Sequence, residues 1–150
     1  MTAGLRDIGA LIKVDRAAAN IAVTAGGAGD NTLVTGAIID RAAQGWPESA
    51  VLAIPYTVTL AAAQSLTISG VIQEGDAANL SDAATHQTIP ATIVATGAGT
   101  FNGVMEVSVP LRGCKRYLRA NFTPDLSAAT IDTAALAAVL VFGGANRVPV

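Results

Sequence analysis

The sequence has few of the residues from which catalytic and metal sites are usually built. It contains one cysteine, Cys114, and one histidine, His86, among 150 residues. A single cysteine excludes a disulfide within the chain, so the fold must depend on its hydrophobic core. One imidazole without a cysteine cluster does not make a multi-histidine or cysteine-rich metal site, so we predict no metal and no cofactor. We expect His86 on the surface and Cys114 as an inert, partly buried thiol.

Charge and aromatic side chains are also scarce. Charged residues make up 13% of the chain, against ~25% in typical soluble domains. Aromatic residues make up 4% and hydrophobic residues 51%, so Ala, Val, Ile and Leu must form the core. The net charge of −2 argues against nucleic-acid binding through overall attraction. A surface this poor in charge is easiest to explain if another protein covers part of it.

No hydrophobic run is long enough to cross a bilayer. The longest, at 134–142, is far shorter than the ~20 residues that a transmembrane helix needs. Near the N-terminus, Arg6, Asp7 and Lys13 interrupt the apolar residues before the hydrophobic region of a signal peptide can form. We therefore expect a soluble protein with no membrane partner.

The dominant pattern is a series of short β-prone runs separated by Gly, Asp, Asn and Pro. Their spacing of ~8–12 residues is typical of an all-β sandwich or barrel. Within 56–60, apolar side chains alternate with threonines, as in a strand with one buried face. The predicted strands, about eight, are 20–25, 32–39, 50–60, 66–74, 88–96, 100–110, 116–123 and 136–144.

A search for catalytic constellations finds none with the right spacing. The glycine-rich 26–30 is not followed by the Lys-Ser/Thr of a phosphate-binding loop, so we interpret it as a turn. The acidic residues Glu48, Glu74 and Glu106 have no supporting context for paired-carboxylate chemistry. We predict that the protein is not an enzyme.

The cations are concentrated in one stretch. Four of the nine Lys and Arg residues lie between Arg112 and Arg119. If this stretch enters a strand, Lys115, Tyr117 and Arg119 face outward. Leu118, Ala120 and Phe122 then face the core. The outward row is either a solvated strand face or a docking face for an acidic partner; a nucleic-acid or phosphate site is a third and weaker possibility.

An apolar set near the N-terminus has no obvious place in a sandwich. It consists of Leu5, Ile8, Leu11 and Ile12. We interpret 1–18 as an N-terminal arm that reaches onto a neighbouring subunit.

Two segments carry a resemblance to a known family. The run CKRYLRANFTPDLSAATIDTAALAAVLVFGGANRVPV, residues 114–150, resembles the end of the jelly-roll capsid cement (decoration) proteins of tailed bacteriophages. In that family a strand like RYLRANFT leads through a Pro-Asp loop to an apolar strand and a Gly-Gly-Ala tail ending in Pro. The segment VDRAAANIAVTAGGAGDNTLVTG, residues 14–36, resembles the start of the same family.

The resemblance implies a jelly-roll-like β-sandwich over 19–150, preceded by the arm. It further implies a virion protein on the outer surface of the phage head, assembled in the host cytoplasm. Such a protein binds and stabilises the major capsid protein and works as a homodimer or homotrimer, without nucleic acid. The residues expected at the capsid or partner interface are Leu5, Ile8, Leu11, Ile12, Lys115, Tyr117 and Arg119.

The alternative is a non-enzymatic receptor- or carbohydrate-binding module of a phage virion. Sugar sites usually display aromatic platforms, and Trp46 in the loop GWPES is the one good candidate for stacking on a sugar. A tryptophan before a proline in a loop also anchors such a loop onto the core.

Overall fold

A computed structural model describes residues 8–128 and 131–145, which form eight strands and one short helix. The elements are α1 Ile8–Leu11, β1 Lys13–Thr24, β2 Ile39–Asp40, β3 Pro47–Leu60, β4 Ser65–Gly75, β5 Ala84–Thr96, β6 Gly99–Pro110, β7 Tyr117–Leu126 and β8 Thr133–Ala145. The all-β prediction is confirmed. Within the described ranges, no helix has the length and apolar character needed to cross a membrane.

The strands form two four-stranded antiparallel sheets packed face to face. Sheet A has the order β1-β8-β3-β6, and sheet B has the order β2-β7-β4-β5. This interleaved order is the double Greek key of a jelly roll. The predicted β-sandwich of about eight strands is therefore what the chain forms.

The core lies between the sheets and is built from alternating strand positions. In β8, every second residue from Ala134 to Phe142 is buried. In β7, Leu118, Ala120 and Phe122 are fully buried, which confirms their predicted core-facing direction. The bulkiest fully buried side chains are Phe122, Phe142, Leu52, Ile54, Leu66, Ile68, Ile72, Ile89, Leu111, Leu118, Leu140 and Val23.

The predicted strand 32–39 is wrong over most of its length, because only Ile39–Asp40 joins a sheet as β2. The preceding residues bond first to sheet B and then to sheet A, before β2 joins sheet B. Ala37 N–H donates to the Ala17 carbonyl of β1, while Val34 forms an isolated bridge with Phe122 of β7. A segment that bonds to both sheets in turn cannot form a continuous ladder with either.

The first strand begins earlier than the predicted 20–25, within the stretch interpreted as an arm. Strand β1 starts at Lys13 and pairs with β8, so residues 13–18 belong to sheet A. The pairing register shifts between Arg16 and Ala18 and again before Ile21, and adjacent Ala17 and Ala18 are both buried. This bulge breaks the period-two pattern that identifies a strand in sequence. Residues 1–7, including Leu5, lie outside the described part of the chain.

Candidate functional site

The outer face of sheet A has no charge at its centre. The outward positions on the two central strands are Ser49, Val51, Ala53, Pro55, Thr57 and Thr59 of β3, and Thr133, Ala135, Ala137, Val139, Val141 and Gly143 of β8. All are small, apolar or hydroxyl-bearing. Exposed charges stand at the margins of the sheet, with Glu48 at the start of β3, Arg16 on the edge strand β1 and Glu106 on the edge strand β6. Between these charges, the outward positions of the two central strands offer a partner no ionised group.

An apolar groove continues this face at one end. It measures about 520 Å³, and its lining includes Ile12, Val51 and Val141. Helix α1 lies beside β8 and leaves Ile8 71% and Leu11 47% exposed. Three of the four predicted N-terminal contact residues therefore adjoin the uncharged face.

The outer face of sheet B carries a polar network instead. Gln73 of β4 accepts hydrogen bonds from Arg119 Nε at 3.1 Å, Arg119 Nη2 at 2.8 Å and Asn121 Nδ2 at 2.9 Å. Asn121 Oδ1 in turn accepts from Gly36 N–H at 3.0 Å. One glutamine thus holds two β7 side chains and, through Asn121, the segment that joins the sheets.

Two further cations of the stretch, Arg116 and Lys115, are paired within the chain. Arg116 donates to both carboxylate oxygens of Asp40, at 3.0 and 2.9 Å, and lies over the Tyr117 ring at 5.1 Å. The Arg116 hydrogen bonds outweigh the opposing effect of burial and hold the pKa of Asp40 below its usual value. Lys115 Nζ lies 3.2 Å from Asp76 Oδ2. The predicted outward row is real, but its cations already have acidic or polar partners.

A buried arginine, which the sequence did not single out, closes one end of the sandwich. Arg41 is 5% exposed, and its guanidinium donates to the carbonyl oxygens of Pro47, Leu111, Cys114 and Lys115. It also lies 5.5 Å from the centre of the Trp46 ring. The only sequence signal was an arginine in a loop that also contains tryptophan. Trp46 thus packs against Arg41, which is the anchoring role considered above.

A second cluster at an end of the sandwich brings together Glu74, His86 and Cys114. Their ligand-capable atoms all lie within 4.8 Å of one another. His86 Nδ1 is 3.4 Å from Glu74 Oε2, and the two side chains are 15% and 17% exposed. The expectation of a surface histidine is therefore wrong. The pairing of β5 with β4 shifts register beside His86. The Nε2 atom of His86 lies 2.6 Å from the Pro110 carbonyl oxygen of β6.

Cys114 is a buried free thiol, as expected. Burial raises its pKa to about 12, and the neighbouring Glu74 adds to the shift. Burial alone would also raise the pKa of Glu74, but the Lys115 N–H and the Cys114 thiol donate to it and bring it below the usual value. Sequence reasoning missed the cluster because its members are 12 and 28 residues apart and come from β4, β5 and the loop before β7.

No protein-family model matches the sequence. No curated protein is similar to it either. Among solved structures, the chain is similar to a protein of the T13 particle of infectious bursal disease virus, with a TM-score of 0.50 and 13% identity over 92% of this chain and 32% of that chain. T=1 particles derived from the same virus give a TM-score of 0.48, 13% identity and the same coverages.

A Bacillus endospore appendage protein gives a TM-score of 0.36 and 15% identity, covering 89% of this chain and 88% of that chain. The chain spans about a third of the length of the viral chains. At these identities, the likeness to the T13 particle protein establishes a shared β-sandwich fold and nothing finer.

Proposed function

We propose that this protein is a head decoration (cement) protein of a tailed phage. It binds the outer surface of the assembled capsid, stabilises contacts between major capsid protein subunits and catalyses no reaction. The uncharged outer face of sheet A carries this proposal, because it is the surface best suited to a flat protein partner. The resemblance of residues 114–150 to cement proteins supplies the identity of that partner.

The dimensions of the face fit a specific interface. Its strands have 12 to 14 residues, or about 40 Å at ~3.4 Å per residue, and four strands at ~4.8 Å spacing span about 19 Å. The whole face, with its uncharged centre and its charged edge strands, therefore covers roughly 760 Å², close to the ~800 Å² that each partner contributes to a standard interface.

The chemistry of the face fits as well. Interface cores are depleted of charged residues, since a charge buried without a partner loses its hydration. Val51, Val139 and Val141 provide apolar contact at the centre, while Thr57 and Thr59 provide hydroxyls that hydrogen-bond across an interface or to trapped water. Ile8 and Leu11 extend the apolar area beyond the end of the sheet.

Oligomerisation adds avidity to this contact. A homodimer or homotrimer on a symmetric shell engages several capsid subunits, so each contact needs only ordinary affinity. Such a protein is located on the outer surface of the virion head.

A matched pair of substitutions tests the assignment. Val51 on β3 and Val71 on β4 are half-buried valines facing outward from sheets A and B respectively. Val51→Glu buries an unpaired carboxylate in the proposed interface and weakens binding to empty heads at least tenfold, or about 1.4 kcal/mol. Val71→Glu leaves binding within about threefold, because it faces away from the capsid. Binding is measured by co-sedimentation with empty heads, after circular dichroism shows that both variants fold.

Equal binding by the two variants would remove sheet A from the interface. A loss confined to Val71→Glu would assign docking to sheet B instead. The cationic row belongs to this second outcome: if sheet B docks, charge reversal of Lys115 and Arg119 weakens head binding at low salt and less at high salt, together with Val71→Glu. The carbohydrate-binding alternative gains no support from Trp46, because that ring packs against Arg41.

A further inference from the structure

We propose that Glu74, His86 and Cys114 form a zinc site that fastens together three segments at one end of the sandwich. Imidazole nitrogen, thiolate sulfur and carboxylate oxygen are the three ligand types that zinc takes in proteins. The site lies where β4 and β5 of sheet B meet the loop between β6 and β7, and it does not depend on the capsid-docking role proposed for the outer face of sheet A.

The spacing of the donor atoms fits a tetrahedral ion. Two ligand atoms that each lie about 2.1 Å from a tetrahedral zinc are about 3.4 Å apart. His86 Nδ1 and Glu74 Oε2 stand 3.4 Å apart, and all three donor atoms fall within 4.8 Å of one another. A shift of about 1 Å at the most distant pair, available through side-chain rotation, completes a three-ligand site.

The histidine is oriented for coordination through Nδ1. Its Nε2 faces the Pro110 carbonyl oxygen at 2.6 Å, and a carbonyl accepts hydrogen bonds but does not donate them. Nε2 therefore carries a proton, and in the neutral ring the lone pair is on Nδ1, directed at Glu74. Histidines that ligate metals usually donate their other N–H to a carbonyl or carboxylate in this way.

The carboxylate is oriented in the same manner. Glu74 Oε2 accepts the backbone N–H of Lys115 at 2.8 Å, which fixes the carboxylate beside the neighbouring Cys114. A zinc ion bound by one carboxylate, one thiolate and one neutral imidazole has no net charge, which suits a site of mostly buried ligands. Binding displaces the thiol proton to solvent and needs no redox partner.

The location gives the ion a structural effect. Glu74 ends β4, His86 lies near the start of β5, and Cys114 lies in the loop between β6 and β7. That loop also provides the Leu111, Cys114 and Lys115 carbonyls that accept from Arg41. Zinc would therefore fix two strands of sheet B to the loop that leads from β6 of sheet A to β7 of sheet B. The residual exposure of Glu74 and His86 leaves a path for the ion and a fourth ligand such as water.

Cobalt provides a direct test, because thiolate coordination gives Co²⁺ a charge-transfer absorption band that oxygen and nitrogen ligands do not. Cys114 is the only cysteine in the chain, so any such band reports this position. The full chain, stripped with a chelator, is titrated with Co²⁺ and then with Zn²⁺. We expect a thiolate band that saturates at one Co²⁺ per chain and is abolished by Zn²⁺, and a Tm that rises with the Zn²⁺ concentration.

Variants distinguish this site from nonspecific metal binding. His86→Gln keeps a donor for the Pro110 carbonyl but removes the ligand, and it lowers Co²⁺ affinity at least about 100-fold. It also removes the Zn²⁺-dependent rise in Tm, a readout that does not require the buried Cys114 to be replaced. Glu106→Gln, on the outward side of β6, is the matched control and changes neither. Absence of the thiolate band at stoichiometric Co²⁺, or equal affinity in His86→Gln, would overturn the proposal.

Discussion

The two outer faces of the sandwich differ in where their polar groups find partners. On sheet B, Arg119 and Asn121 bond to Gln73, and Arg116 bonds to Asp40. On sheet A, the outward positions of the central strands beyond Glu48 present mostly alanine, valine and threonine, without a charge. The cations that stand out in the sequence are thus bonded to partners within sheet B. The outer face of sheet A, which no sequence motif marks, has the composition of an interface. The docking surface that we propose is thus marked by a shortage of charge and not by a concentration of it.

The largest expected effect concerns Gly36, which lies between β7 of sheet B and β1 of sheet A. Gly36 donates to Asn121, and a Cβ there would collide with the Ala120 carbonyl oxygen and lie 2.7 Å from that of Ala17. Both obstacles are strand backbone, which cannot rotate away. Gly36→Ala should lower the free energy of unfolding by at least about 3 kcal/mol, measured by urea denaturation.

Gly27 offers a matched control for this change. A Cβ at Gly27 would meet its neighbours at ordinary van der Waals distances, beginning with the Thr24 carbonyl oxygen at 3.4 Å. Gly27→Ala should therefore shift stability by less than about 1 kcal/mol. If Gly36→Ala lost as little stability as Gly27→Ala, the backbone around Gly36 would be able to move apart and make room for the added Cβ.

The sandwich was predictable because most strands keep the period of two. Runs such as 50–60 and 136–144 alternate buried and outward residues nearly throughout. The sequence-based predictions were wrong where that period is broken. One place is the β1 bulge around Ala17, and the other is 32–39, where hydrogen bonds to each of the two sheets replace a continuous ladder. Period alone carries no information on such crossings.

The side-chain clusters were less predictable than the fold. The direction of Leu118, Ala120 and Phe122 follows from alternation, but the partners of Arg119 and Arg116 lie 46 and 76 residues away. Arg41, Glu74 and His86 are likewise defined by contacts between distant strands. Such pairings arise from the order of strands in the sheets, which no local pattern specifies.

The second prediction removes the centre of the sheet B network. Gln73→Leu leaves the Nδ2 group of Asn121, a residue only 3% exposed, without its acceptor and frees the Arg119 guanidinium. We expect a loss of about 2 kcal/mol in the free energy of unfolding, the penalty of an unsatisfied buried donor. Gln73→Glu retains an acceptor oxygen at this position and should lose distinctly less. Equal losses in the two variants would show that packing, rather than hydrogen bonding, fixes this face.

The third prediction uses pH to probe sheet B. Because Arg116 lowers the pKa of Asp40, this pair contributes stability that is complete above the unfolded value of 3.8 and is lost as the pH falls through the lower folded pKa. The effect is small, since Arg116 is half-exposed. The difference in urea midpoint between wild type and Asp40→Asn should be constant near neutral pH and shrink below about pH 4. A difference that does not change down to pH 2.5 would mean that the ion pair makes no contribution in solution.

The smallest expected effect is on sheet A, where Thr57 Oγ1 donates to Asn102 Oδ1 at 2.7 Å in an exposed cross-strand pair. Both groups are hydrated when the bond is absent, so Thr57→Val should change the free energy of unfolding by less than about 0.5 kcal/mol, against about 2 kcal/mol for Gln73→Leu. Urea denaturation of the two variants side by side measures the contrast directly. If Thr57→Val cost as much as Gln73→Leu, the polar groups on the outer face of sheet A would be needed for the stability of the fold. A near-neutral result leaves them available to a partner, since a surface that the fold does not need can be shaped by what it binds.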